Sequence, residues 1–334
     1  MNALTLSWLL FALCVALIGA AGPVLSRNAD VIAEETGVSG SWIGLVVLAS
    51  VTSLPELVLG ASAIGLAHRP DIAIGDALGS CVFNLALVAV LDMALRGPGL
   101  FQVASRRHLL SAAFGVLLIG VVAVALLLPS GATGPTLGHV GLISPLLLLL
   151  YAVAMRSLFR HGGQDRHPAS APTPRSRSRL HGAIARYVGG AVVIVGSGIG
   201  LSLAAERVAE LMGWQMSFMG SLFVAGATSM PELVVTLAAV RMGALDMAMA
   251  NLLGSNLFDM VIVAIDDLLF MDGPVLRHVA PAHALSAVIA MGMTALVMLG
   301  LVSRPGGRLL RVGWIDVGLI GGYVLNLFAL YRDT

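Results

Sequence analysis

The chain has 334 residues, 58% of them hydrophobic and only 11% charged, with a mean hydropathy of +0.94 and a net charge of +1. A water-soluble domain carries about a quarter charged residues, so the soluble globular class is excluded, as is a disordered chain. The near-zero net charge gives no sign of a nucleic-acid partner. All 19 basic residues are Arg. The two cysteines, Cys14 and Cys81, lie in apolar runs without metal-ligand spacing and read as buried free thiols.

A membrane-crossing helix needs about 20 apolar residues. On that basis the chain predicts ten helices, at 4–24, 41–67, 72–95, 109–128, 139–159, 185–204, 217–240, 245–270, 280–302 and 312–331. The first run has no basic n-region and is long for a signal peptide, so it reads as a span. The second, third, seventh and eighth helices carry polar residues inside apolar sequence. Between the fifth and sixth, Arg160–His181 is rich in Arg, Pro and Ser without apolar periodicity, and is expected to be a solvated linker. This linker, with Arg156 and Arg186 at its borders, falls on one side of the membrane with Arg96, Arg106, Arg107, Arg304, Arg308 and Arg311. The opposite loops are expected to hold uncharged Gly131–Gly138, Glu206, Glu210, Asp266, Asp267 and Asp272. By the positive-inside rule the Arg-rich side is cytoplasmic and the N-terminus outside. The first loop, with Asp30, Glu34 and Glu35 against Arg27, does not contribute to this asymmetry.

The chain contains an internal repeat. Residues 41–58, SWIGLVVLASVTSLPELV, parallel residues 217–234, SFMGSLFVAGATSMPELV. Thr52, Ser53, Pro55, Glu56, Leu57 and Val58 recur as Thr228, Ser229, Pro231, Glu232, Leu233 and Val234. With a one-residue offset, Asp71, Gly79, Ser80, Phe83 and Asn84 align with Asp246, Gly254, Ser255, Phe258 and Asp259. The matches include the rare polar residues, which chance does not explain. Five helices per copy, an odd number, would place the second copy upside down in the membrane. Transporters built on that plan hold their substrate near the midplane, where the repeats meet.

Thr52, Ser53 and Glu56 share a helical face. Pro55 lacks an N–H and clashes with the carbonyl of Val51, so the helix must kink or break. Carbonyls around Ala49–Val51, and around Ala225–Ala227 before Pro231, are expected to be freed. The next helix of each copy adds a four-residue stripe, Asp76–Ser80–Asn84 and Asn251–Ser255–Asp259. Asp76 and Asn251 read equally well as capping or bending residues. Asp71 and Asp246 read as helix N-caps, and Gly79 and Gly254 as points of close helix approach. These groups are oxygen donors, and no His or Cys is counted with them. Oxygen sets suit hard cations such as calcium, with its six to eight oxygen ligands, and sodium on the same argument. Intramembrane carboxylates need a cation, a proton or water beside them.

TSLPEL at 52–57 and TSMPEL at 228–233, followed by GSCVFN at 79–84 and GSNLFD at 254–259, resemble the two alpha-repeats of the sodium/calcium exchanger family, in the cation/calcium antiporter superfamily. The resemblance implies an all-α polytopic membrane protein of ten transmembrane helices in two inverted five-helix halves. These are 1–159 (motif 41–95) and 185–334 (motif 217–270), joined by a cytoplasmic linker at 160–184. It implies calcium bound by Glu56, Glu232, Thr52 and Thr228. It implies sodium bound by Ala49, Ser53, Glu56, Ser80, Ala225, Ser229, Glu232 and Ser255, with Asn84 and Asp259 as central polar groups. Asp76 and Asn251 are further candidates, and Pro55 and Pro231 break the helices. Three positions depart from the family pattern: Val51 and Ala227 stand where Gly commonly precedes the Thr, and Asp76 where Asn is common. The expected activity is sodium-driven calcium exchange by alternating access. The transported ions are calcium and sodium, or protons, with no separate cofactor. The alternatives are a proton/calcium antiporter, a channel and an intramembrane enzyme. A prokaryotic-type protein in a bacterial inner membrane is expected, with the lipid bilayer as its surroundings and no protein partner.

Overall fold

In the computed structural model, residues 2–128, 136–162, 177–213, 221–306 and 311–332 are described. The elements are helical apart from one short hairpin, β1 (Thr136–Leu137) with β2 (Val140–Gly141). In chain order the helices are α1 (Ala3–Thr36), α2 (Gly40–Trp42), a π segment (Ile43–Leu48), α3 (Ala49–Thr52), α4 (Leu54–Gly65), α5 (Pro70–Ala94), α6 (Leu100–Val103), α7 (His108–Leu127), α8 (Ile143–Gly162), α9 (Arg177–Met212), α10 (Ser221–Thr228), α11 (Met230–Arg241), α12 (Leu245–Leu269), α13 (Ala282–Ser303) and α14 (Trp314–Arg332), with a 3₁₀ turn at Val275–Arg277. Among the described residues, eight helical stretches are long and apolar enough to cross a membrane. Residues 217–220 of the second motif, 131–135 of the expected uncharged loop, and Arg166, Arg175 and Arg308 lie outside the described residues.

Two helices run far beyond their expected ends. α1 spans 34 residues and carries Asp30, Glu34 and Glu35, which were expected in a loop. α9 spans 36 residues, so the expected linker is helical over 177–184, and Glu206 and Glu210 also sit on helix. Residues 163–176 of the linker lie outside the described residues. The physical reason is pairing. Arg179 bonds Glu34 at 3.1 Å and Glu35 at 2.9 Å, and Arg186 Nε donates to Asn28 Oδ1 at 3.1 Å. Polar side chains that end an apolar run need not end a helix when a neighbouring helix supplies their partners. α1 finally stops at Gly37, whose φ of 75° closes the C-terminus in the left-handed conformation.

The motif helices break as proline requires. α3 ends at Thr52, and Ser53 leaves the helix at φ −88°, ψ 8° before α4 begins with Pro55 in its first turn. α10 ends at Thr228, and Ser229 takes φ −84°, ψ 7° before α11 and Pro231. The two breaks are the same conformation at equivalent residues. Ahead of the first, the π segment loosens the helix, a distortion common at functional sites. There Tyr187 of α9 donates its hydroxyl to Val47 O at 2.8 Å.

α5 and α12 pack against each other in the interior. A Cβ added to Gly254 would stand 2.3 Å from Leu45 O and 2.9 Å from Ala49 Cβ, whereas at Gly79 it would meet only Ala225 Cβ at 3.7 Å. The close approach expected at both glycines is therefore found at Gly254, and not at Gly79. Gly254→Ala is expected to destabilise the protein by about 1–3 kcal/mol through overpacking, and Gly79→Ala to leave it within experimental error. Thermal unfolding in detergent measures both, and equal melting temperatures for the two variants would refute this account.

The acids at the ends of α5 and α12 do other work than expected. Neither helix has a side-chain N-cap. Asp71 Oδ1 instead accepts from Ala280 N at 2.6 Å and lies 3.1 Å from His283 Nε2. Asp246 Oδ1 accepts from Ser105 N at 2.8 Å and lies 2.9 Å from His108 Nε2. These are equivalent tethers, each joining one repeat to the other. Asp266 and Asp267, at the end of the eighth predicted helix and counted with its loop, are buried in the last turn of α12. Asp267 accepts from Val275 N at 2.6 Å, Gly141 N at 2.9 Å and Ser144 Oγ at 2.5 Å, and its counterpart Asp92 accepts from Leu100 N. Backbone amides just past the helix ends hold these carboxylates, so acidity here marks a buried turn and not a solvated one.

Candidate ion-binding site

The helix breaks deliver Glu56 and Glu232 to the first turns of α4 and α11. Each glutamate is 1% exposed. Thr52, Ser53, Pro55, Ser80, Asn84, Asp76, Thr228, Ser229, Pro231, Asn251, Ser255 and Asp259 are buried too, as is Ala49, while Ala225 is partly buried.

The two motifs bond across to each other. Ser53 Oγ donates to Glu232 Oε1 at 3.2 Å, and Ser229 Oγ lies 3.4 Å from Glu56 Oε1 and 3.1 Å from Ser80 Oγ. Each serine thus reaches the other repeat's glutamate. Thr228 Oγ1 lies 3.1 Å from Asp76 Oδ1, which brings Asp76 to the second motif. Asn251, its counterpart, turns back within its own repeat and donates Nδ2 to Thr236 Oγ1 at 3.0 Å. Neither residue caps its helix.

The carbonyls of Ala49 and Ala225 are not free, contrary to expectation. Ala49 O accepts from Ser53 N at 3.0 Å and Thr52 Oγ1 at 3.3 Å; Ala225 O accepts from Ser229 N at 3.1 Å and Thr228 Oγ1 at 2.9 Å. The N–H that each proline lacks is the partner of the carbonyl four residues back, Val51 or Ala227, so Ala49 O and Ala225 O keep ordinary helical bonds and add the threonine hydroxyl. Only hydroxyls that rotate away expose them.

What remains unsatisfied is the chemistry of the site. Glu56 Oε2, Glu232 Oε2, Asn84 Oδ1, Asp259 Oδ1, Asn251 Oδ1 and Ser255 Oγ are buried without a hydrogen-bond partner. Five of these six are pure acceptors. Buried polar atoms are ordinarily paired, so this concentration of lone pairs calls for a positive ligand. Glu56, Glu232, Asp76 and Asp259 are all buried, so four acids share this interior. Among the described residues no three His, Cys, Asp or Glu side chains come together as a metal cluster. The donor set is mixed oxygen, suited to a hard cation and not to zinc or copper.

Two central residues were missed in the sequence. Cys81, read as an inert thiol, lies with its Sγ 3.4 Å from Asp259 Oδ2. Asn256, its counterpart in the repeat, donates to Cys81 O at 3.2 Å and accepts from Asn84 Nδ2 at 3.1 Å. This lattice locks α5 to α12 at the level of Asn84 and Asp259. The signal was available: residues 81 and 256 occupy one register of the repeat, between the serines and the Asn84/Asp259 pair.

Comparison with known proteins decides the family. The profile of the sodium/calcium exchanger protein family matches residues 6–159 and 182–331. The chain belongs to that family. It is 27% identical over 304 residues to the inner membrane protein YrbG of Escherichia coli, covering 91% of this chain and 90% of that one. It is 27% identical over 308 residues to the putative antiporter CaxA of Alkalimonas amylolytica, covering 90% and 92%. Its fold matches the solved structure of the sodium-calcium exchanger NCX_Mj with a TM-score of 0.74 at 24% identity, over 97% of this chain and 98% of that one. In this member of the exchanger family, Ala227 before the second threonine is packed in the apolar core beside α1 and α9, and Val51 packs against the same core.

Proposed function

We propose that the chain is a secondary active antiporter that exchanges sodium for calcium by alternating access at a midplane oxygen site. The observation that carries this reading is the reciprocal contact of Ser53 with Glu232 and of Ser229 with Glu56. A site assembled from two halves is remade or opened when the halves move. In this reading the halves are inverted five-helix units, 1–159 and 185–334, giving ten spans. The paired Asp71–His283 and Asp246–His108 tethers support that symmetry. Calcium sits between Glu56 and Glu232 with the carbonyls of Thr52 and Thr228. Sodium takes Ser53, Ser80, Ser229 and Ser255 with the carbonyls of Ala49 and Ala225, once the threonine hydroxyls rotate away. Asn84 and Asp259 supply the central amide and acid. The protein lies in a bacterial inner membrane with the N-terminus outside and residues 160–184 cytoplasmic, which the Arg distribution supports.

Coupling follows from charge. With neither ion bound, buried carboxylates face one another unneutralised, which a low-dielectric interior penalises by several kcal/mol. The empty carrier therefore changes state slowly, and each calcium moves only against sodium. In proteoliposomes, an outward sodium gradient is expected to drive radioactive calcium uptake at least about tenfold over the sodium-free control, the factor given by about 1.4 kcal/mol of coupling. Uptake that follows an imposed pH gradient and ignores sodium would replace this reading with proton/calcium exchange.

A further inference from the structure

Asp266 on α12 plays no part in the central site. It is fully buried, and neither of its carboxylate oxygens has a hydrogen-bond partner. Its carboxylate lies flat against α4 at Gly60, one turn beyond Glu56. A Cβ on Gly60 would stand 2.8 and 2.9 Å from the two oxygens.

The second repeat shows what this place holds when it is uncharged. Thr236 is the counterpart of Gly60, Asn251 of Asp76, and Leu91 is the counterpart of Asp266 in the first repeat. Thr236 and Asn251 form a neutral donor–acceptor pair, 3.0 Å apart. In the first half the threonine side chain is deleted, the amide becomes an acid, and a second acid from α12 enters the vacated slot. Two carboxylates replace a satisfied pair, and Gly60 is the residue without which the second would not fit. When both are ionised they offer two negative charges, with both Asp266 oxygens available for bidentate binding, which matches a divalent hard cation.

We propose that Asp76 and Asp266, beside Gly60, form an accessory calcium site in the first half only, one helical turn from Glu56. The site rests on the exchanger reading for its ligand and serves as a transit point to the centre. Thr228 Oγ1, 3.1 Å from Asp76 Oδ1, links its occupancy to the second motif.

Equilibrium binding of radioactive calcium to the purified full chain in detergent tests this. The wild type is expected to bind two calcium ions, the weaker lost in Asp266→Asn and the tighter in Glu232→Gln. Gly60→Ala, which displaces the carboxylate while keeping its charge, should weaken the accessory site at least about tenfold. In proteoliposomes Asp266→Asn should retain sodium-driven uptake at saturating calcium but raise the calcium KM about tenfold. One calcium per chain in the wild type, or a stoichiometry untouched by both Asp266→Asn and Gly60→Ala, would overturn the proposal and leave a proton on Asp266. Two calcium ions in the wild type, one lost in Asp266→Asn and the other kept in Glu232→Gln, would count against the exchanger reading instead, with the accessory site standing.

Discussion

Glu56→Gln is expected to lower sodium-driven calcium uptake by about 10²–10³. Glu56 is 1% exposed, its Oε2 has no hydrogen-bond partner, and Ser229 approaches its Oε1. Glutamine preserves the shape and removes one of the charges facing the ion. Taking one partner from a buried ion pair costs about 3–5 kcal/mol, and each 1.4 kcal/mol is a factor of ten in affinity. The same substitution relieves repulsion among Glu56, Glu232, Asp76 and Asp259 in the ion-free protein. The variant should therefore melt at or above the wild-type temperature while failing to transport. Calcium uptake within threefold of wild type, at matched reconstitution, would remove Glu56 from the site.

Gly198→Ala is expected to slow exchange at least about tenfold while calcium binding at equilibrium stays within about threefold. Gly198 lies at the middle of α9, where an added Cβ would stand 2.4 Å from Pro55 Cγ and 3.6 Å from Pro231 Cγ. One glycine thus rests on both helix-breaking prolines. Its counterpart Gly22 in α1 meets Val234 Cγ1 at 2.5 Å. α1 and α9 are bound to each other by Arg179 and Arg186 and touch the site helices through these smooth positions. A methyl group wedged against rigid proline rings costs about 1–3 kcal/mol in whichever state presses them together. Under the alternating-access reading proposed above, it raises the barrier to movement of the α1–α9 pair against the site helices without removing an ion ligand. The discriminating measurement sets the rate of sodium-driven uptake beside the calcium Kd on the same preparation. Parallel loss of both would mean that Gly198 only supports the site's shape.

The two motifs were legible because each is a local pattern. Thr-Ser-x-Pro-Glu within apolar sequence states its own burial and its own helix break, and repetition identifies equivalent positions without coordinates. Helix ends were less legible. Hydropathy reports where hydrocarbon surrounds a helix, not where hydrogen bonding stops, so α1 and α9 ran on through Glu34, Glu35 and Arg179 once those residues found each other. Asp266 looked like a loop acid for a similar reason. Its burial comes from α4 and Gly60, more than 200 positions earlier in the chain. The Asp71 and Asp246 tethers followed the same pattern, with a plausible local role at a helix start displaced by a backbone amide and a histidine from the other repeat.

By itself the sequence determined the membrane class, the position of the apolar helices, the duplicated motif and the oxygen character of the residues it carries, because hydropathy, proline chemistry and side-chain type are properties of short segments. Only the tertiary structure decided that Ser53 reaches Glu232, that Ser229 reaches Glu56, that Cys81 touches Asp259, that Ala49 O and Ala225 O are already engaged, and that Asp266 is buried beside Gly60. Each of these depends on which distant helix lies alongside. That choice is made by packing at close approaches such as Gly254 on Leu45 O, a contact between segments whose sequences say nothing of one another.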